Sequence, residues 1–149
     1  MPGRSTAGAS RASDAGVGVM YFSQQAVNKL LPAAGLSLPG EMDLPERLQA
    51  VQAMMVTEDS RAAKIYETIG VYFGHALALY AEFYDFDDLL ILGRVTTSRG
   101  GDVVLDWARK VLRAEYPQLA GRIKLHVPDE KSKRVGQAVA AASLPPLGK

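Results

Sequence analysis

The sequence predicts a helix-rich α/β domain with a small parallel sheet, and two observations support this class. A long amphipathic segment is followed by the continuous apolar run 88–93, which has the length and pattern of a strand covered on both faces. A second amphipathic segment, residues 102–115, then leads to the alternating segment 122–127. A strand, a helix and a strand in this order predict two parallel strands joined by a right-handed crossover.

Composition limits the classes of function. The 149 residues are 48% hydrophobic, which is enough for one domain with a core. Seventeen basic residues balance sixteen acidic ones, so charge does not favour nucleic acid or an anionic membrane as a partner. The absence of cysteine excludes disulfides and thiol chemistry, and two histidines do not suggest a histidine-rich metal site. No apolar run approaches the roughly 20 residues of a membrane span, and we expect a cytoplasmic location.

The N-terminal segment, residues 1–15, is composed mostly of Gly, Ala, Ser and Arg. We expect it to be disordered, although a transit peptide or a start codon upstream of the true domain would give a similar composition. Residues 16–145 are predicted to form a single α/β domain.

Three elements are predicted before the long helix. Residues 16–22 have the apolar pattern of a short strand or of the tail of one. Ser23 is a good N-cap for a helix over residues 24–31. Asp43 and Glu46 are spaced for a capping box at the start of a second helix.

The long helix is predicted to begin at Thr57 or Asp59 and to end in the turn 84–87. Its apolar residues recur at steps of three and four, which is the spacing of one buried face. They are Ile65, Ile69, Tyr72, Phe73, Ala76, Leu77 and Tyr80. Gly70 and Gly74 lie four apart on this helix, where each costs about 1 kcal/mol relative to Ala. We therefore expect another backbone to pack closely against them.

The remaining elements follow the apolar run. Residues 102–115 predict an amphipathic helix, and residues 122–127 a half-exposed strand near a sheet edge. The last helix, residues 134–143, is nearly all Ala, Val and Gly, so we expect it to pack tightly on another element.

The carboxyl ends of the two predicted strands lead into residues 93–101 and 128–133, and ligands of open parallel sheets bind beyond these ends. The first segment offers glycines for close approach, hydroxyl groups, two arginines and the N-terminus of a helix, which favours anions. The candidate nucleotide-binding residues are Gly93, Arg94, Thr96, Ser98, Gly100 and Gly101. The alternative is an ordinary strand-to-helix turn that binds nothing.

Two further charged clusters have a functional and a simpler interpretation. One could hold Mg²⁺ through oxygen ligands or form only a solvated turn; it consists of Glu82, Asp85, Asp87 and Asp88. The other could face a phosphate or serve only solubility; it consists of Lys131, Lys133 and Arg134.

The order of motifs over about residues 60–144 resembles the C-terminal lobe of ROK-type sugar kinases, in the actin-like ATPase and hexokinase superfamily. The motifs are the helix with paired glycines, the Tyr-Asp-Phe-Asp turn, the apolar strand ending at Gly93, and the sequence Ser-Arg-Gly-Gly at residues 98–101. Residues 136–142 are similar to the closing Gly-Ala-rich helix of the family, which makes Gly136 a third structural glycine beside Gly70 and Gly74.

The resemblance implies a partial actin-like ATPase lobe that binds ATP or ADP with Mg²⁺ or a sugar phosphate, with the strand and its glycines against the nucleoside. This chain departs from the family at Arg94, where a second Gly is expected, and at Phe86, where Pro is expected. It also contains no Asp-x-Gly-x-Thr phosphate loop. We therefore expect a partial or degenerate lobe that is not an active kinase alone. The possible partners are the missing N-terminal lobe or further copies of this chain. The alternative function is a non-enzymatic assembly module, in which the face that would meet the missing lobe pairs with a second copy or with another chain.

Overall fold

The computed structural model describes residues 16–128. The elements in chain order are α1 (Val19–Phe22), α2 (Gln24–Leu30), α3 (Leu44–Val56), α4 (Ser60–Phe83), β1 (Asp88–Leu90), a 3-10 turn (Arg94–Thr96), α5 (Ser98–Glu115), α6 (Pro117–Ala120) and β2 (Lys124–His126). The expectations for residues 1–15 and for the last helix with Gly136 lie outside the described residues. So do those for the basic cluster Lys131, Lys133 and Arg134.

The N-terminal element is a helical turn, so the predicted strand over residues 16–22 is wrong. Tyr21 and Phe22 pack edge-on against two aromatic rings of α4, with ring centroids 5.4 Å from Tyr72 and 5.7 Å from Phe73. A strand propensity depends on neighbouring strands to pair with, and here the aromatic contacts with α4 determine the backbone. Ser23 then joins α1 to α2, since its Oγ donates to the Val19 carbonyl oxygen at 2.5 Å and accepts from the Gln25 amide at 3.1 Å.

Capping side chains begin the next three helices as predicted. Ser23 caps α2. Asp43 and Glu46 form the complete capping box of α3, with reciprocal bonds of 2.9 and 2.8 Å. Asp59 caps α4 through the Arg61 amide at 2.8 Å. The core between these helices is apolar, and its most deeply buried side chains include Val27, Val51, Ile65 and Ile69.

Helices α4 and α5 form the largest helix–helix contact, and the paired glycines lie in it. A Cβ on Gly70 would lie 2.7 Å from the Val104 carbonyl oxygen, and one on Gly74 would lie 2.6 Å from Val111 Cβ. Both distances are too short for a methyl group, so the close approach that these glycines predict is present. Helix α5 begins at Ser98, four residues before the predicted start at residue 102.

The two strands pair in parallel, with Leu89 opposite Leu125, as the strand–helix–strand order predicts. The α/β class with a small parallel sheet is therefore confirmed. The predicted burial of the first strand on both faces is wrong, because Leu90 and Leu92 are 59% and 65% exposed. Within residues 16–128, only β2 pairs with β1, and no element covers these two side chains. Across the same residues, every helix is too short or too polar to cross a membrane.

Candidate functional site

A cleft of about 720 Å³ runs along β1 to the turn that follows it. One wall is residues 89–96, and the opposite wall is α1 with the start of α2. Helices α4 and α5 provide the base. The lining side chains are mainly apolar and aromatic, as in many small-molecule sites; they include Phe22, Ile69, Phe73, Tyr80, Leu92 and Val104.

Gly93 lies at the carboxyl end of the strand wall. Its φ is +139°, which L side chains rarely adopt, and a Cβ on it would have no heavy atom within 4 Å. The backbone at this position is therefore open to the cleft, and a flat group could approach it without meeting a side chain.

The turn after Gly93 is held in place by hydrogen bonds. Thr96 Oγ1 donates to the Gly93 carbonyl oxygen at 2.9 Å, and Thr97 Oγ1 donates to the Arg94 carbonyl oxygen at 2.6 Å. Gln52 on α3 connects this turn to the core, because its Nε2 donates to the Arg94 carbonyl oxygen and to Thr97 Oγ1, each at 3.0 Å. The cleft wall is thus fixed by a side chain that is 42 residues distant in sequence from Arg94.

Arg94 supplies the positive charge at the cleft. Its side chain is exposed, and it forms no ion pair with any residue in the range 16–128. Arg99, the other arginine of the segment, is engaged by Glu58 at 3.0 Å. Arg94 is therefore the arginine available to an anion bound beside Gly93.

Gly100 and Gly101 are buried and lie outside the cleft, as does the exposed Ser98. The space beside Gly100 is filled by the Tyr66 ring, and the space beside Gly101 by the Thr96 backbone. The structure therefore brings Gly93, Arg94 and Thr96 to the cleft and gives the other two glycines a packing role.

Tyr66 is enclosed at this junction. Burial raises the pKa of its hydroxyl, and the neighbouring Gln52 side chain offsets part of that rise. Within the part of the chain that the structure describes, the Tyr66 hydroxyl has no hydrogen-bond partner. Tyr66 and Gln52 thus lie together behind the cleft wall, where they connect α3 and α4 to the start of α5.

The acidic cluster does not converge on one point. Asp85 and Asp87 both face Arg122, at 3.8 and 3.2 Å, and Asp88 contacts His126 Nε2 at 2.7 Å. Over residues 16–128, no group of three or more His, Asp or Glu side chains is arranged to hold a metal ion. These carboxylates therefore pair with cationic or histidine side chains around the sheet.

Sequence reasoning missed the wall that faces Gly93. This wall is lined by Val19, Phe22, Gln24 and Gln25. The strand predicted for residues 16–22 gave no indication that these side chains line a cleft. The one local signal was the aromatic pair Tyr21-Phe22 directly before a capped helix, which suits a short element packed on a neighbour. Comparisons with protein-family models, with curated proteins and with solved structures return no match to this chain.

Proposed function

We propose that the domain is a partial ROK-type, actin-like ATPase lobe that binds a nucleotide or a sugar phosphate in the cleft beside Gly93. The observation that carries this proposal is the open backbone of Gly93 at the carboxyl end of a parallel strand, above an apolar cleft. Parallel sheets bind their ligands at such ends.

The cleft has side chains that suit the base and the phosphates of a nucleotide. Apolar and aromatic side chains such as Phe22, Phe73 and Leu92 suit the base, and the bare backbone of Gly93 suits its close approach. The exposed guanidinium of Arg94 suits a phosphate, which arginine recognises with paired donors. Mg²⁺ would be bound by the phosphates of the nucleotide, since Asp87 pairs with Arg122 and Asp88 with His126.

Phosphoryl transfer requires several groups to converge on one phosphate. Arg94 is the one cationic side chain that residues 16–128 bring to the cleft. We therefore propose binding without catalysis by this lobe alone, and sugar kinase-like activity only together with an N-terminal lobe.

Isothermal titration of the full chain with ATP, ADP, adenosine and glucose 6-phosphate tests the proposal. We expect saturable binding that Gly93→Trp abolishes and that Arg94→Ala weakens for ATP but not for adenosine. Gly35→Trp is the matched control, because Gly35 also has a positive φ and open space beside it but lies outside the cleft. Absence of heat from all four compounds, or binding unchanged by Gly93→Trp, would overturn the proposal.

A second candidate function is assembly of this chain with a second copy of itself. Several large apolar side chains are exposed in the described residues, at β1 and at the end of α4; they are Leu79, Phe83, Tyr84, Leu90 and Leu92. Large exposed apolar patches commonly mark interaction sites. The glycine face of α4 is occupied by α5, so the open sheet edge is the feature that supports this role. Sedimentation velocity of the free chain tests it, and a monomer at all concentrations contradicts it.

A further inference from the structure

We infer that the free edge of β1 pairs antiparallel with the same edge of a second copy of this chain, so that two two-stranded sheets become one sheet of four strands. The inference rests on the second function proposed above, assembly, and it specifies the edge that pairs and the register.

The hydrogen-bonding pattern identifies which backbone groups are free. The Ile91 amide donates to the His126 carbonyl oxygen at 2.8 Å, so the polar groups of Ile91 face β2. Successive residues of a strand direct these groups to opposite sides. The N–H and C=O groups of Leu90 and Leu92 therefore face the other edge, where no backbone partner is present in residues 16–128. An edge of this kind is a template for pairing with another strand.

The sequence of this edge is complementary to itself when it is reversed. An antiparallel pair centred on Ile91 places Leu90 opposite Leu92 of the second copy, and Leu92 opposite its Leu90. Both positions belong to the set whose backbone groups face the free edge, so the register also satisfies the hydrogen bonds. The two exposed leucines of each copy would then shelter each other from water.

The register ends at Gly93, because Arg94 begins the 3-10 turn and its backbone leaves the strand direction. The pairing therefore involves residues 89–93 of each copy.

The second copy and the proposed nucleotide would compete, because the cleft is lined by residues 89–93 of the same strand. A dimer that forms without nucleotide and weakens when ATP binds supports both proposals. A dimer that is unaffected because ATP does not bind leaves the edge pairing intact and contradicts only the nucleotide proposal.

Disulfide trapping tests the register, and the absence of natural cysteine gives it no background. In an antiparallel pair centred on Ile91, the two copies of this residue face each other at about 4.5 Å between Cα atoms, which a disulfide can span. We expect full-length Ile91→Cys to form a covalent dimer under mild oxidation. Leu89→Cys is the control, because its two copies would be displaced by four residues, about 13 Å. Cross-linking of both variants, or of neither, overturns the register.

Sedimentation equilibrium tests the pairing of the edge, with circular dichroism to verify folding. Leu92→Pro removes an N–H that faces the free edge, so we expect the dimer to be lost. The control exchanges Asp106 and Arg109, an exposed pair on α5, and should change nothing. A monomeric wild type overturns both the inference and the assembly function, while a dimer insensitive to Leu92→Pro overturns the inference alone.

Discussion

Gly70 lies against the Val104 backbone so closely that a methyl group on Gly70 would be 2.7 Å from the Val104 carbonyl oxygen and 2.6 Å from Trp107 Cβ. One of these neighbours is main chain and cannot rotate away. Helices α4 and α5 would therefore have to separate to admit an alanine, although alanine is the better helix former by about 1 kcal/mol.

We accordingly predict that Gly70→Ala lowers the free energy of unfolding by about 2 kcal/mol, a cost typical of overpacking. Urea denaturation followed by circular dichroism measures it. Gly121→Ala is the control, because Gly121 has a helical φ of −78° and nothing within 4 Å of a Cβ. That variant should raise stability by about 0.5 kcal/mol. A stabilising Gly70→Ala would contradict the close packing of the two helices.

Gly100 meets a side chain, the Tyr66 ring, where Gly70 meets main chain. Gly100→Ala should therefore cost about 2 kcal/mol in the wild-type background and less when Tyr66→Leu is already present. A double-mutant cycle measures this coupling. Independent effects of the two substitutions would show that the ring is not the obstacle.

Gln52→Leu should release the turn that forms the cleft wall. It removes the hydrogen bonds to the Arg94 carbonyl oxygen and to Thr97 Oγ1, and we expect a loss of about 1 kcal/mol of stability. Amide exchange at residues 95–97 should accelerate in this variant. Gln49→Leu, at an exposed position of the same helix, serves as the control and should leave those amides unchanged.

The pH dependence of stability should contain a contribution from Asp59. Its hydrogen bonds to the Arg61 side chain and amide lower its pKa from 3.8 to about 2. The unfolded state binds this proton more readily than the folded state, so the contribution is present above about pH 4 and is lost as the pH falls towards 2. Asn caps a helix as well as Asp but does not titrate. The stabilities of wild type and Asp59→Asn should therefore converge over that interval in urea titrations, and a constant difference would contradict the prediction.

The parts of the fold that sequence predicted are those specified by local chemistry. The side chains of Ser23, Asp43 and Asp59 each accept a hydrogen bond from a backbone amide two or three residues later. A short stretch of sequence is therefore enough to predict where each helix begins. The glycines at positions 70 and 74 are similar, because a helix accepts their cost only where something approaches closely.

The features that sequence did not predict depend on distant contacts. Helix α1 owes its conformation to Tyr72 and Phe73, some fifty residues later in the chain, and an apolar pattern alone cannot distinguish this from a strand. The exposure of Leu90 and Leu92 depends on what covers β1. Gly100 illustrates a third case. Sequence alone does not distinguish a glycine that leaves space for a ligand from a glycine that leaves space for a neighbouring ring.

The close contact of α4 with α5 also bears on the order in which the chain folds. Residues 84–97 separate its two helices, so the loop that their contact closes is short and costs little entropy. The strands, by contrast, lie at the two ends of α5 and run in the same direction, so they meet only after that helix has turned the chain back. We expect the helical pair to form first, with amides of α4 protected from exchange earlier during refolding than the Ile91 amide. A substitution at Gly74 would then delay the sheet, although the atoms nearest to a Cβ on Gly74 belong to α5.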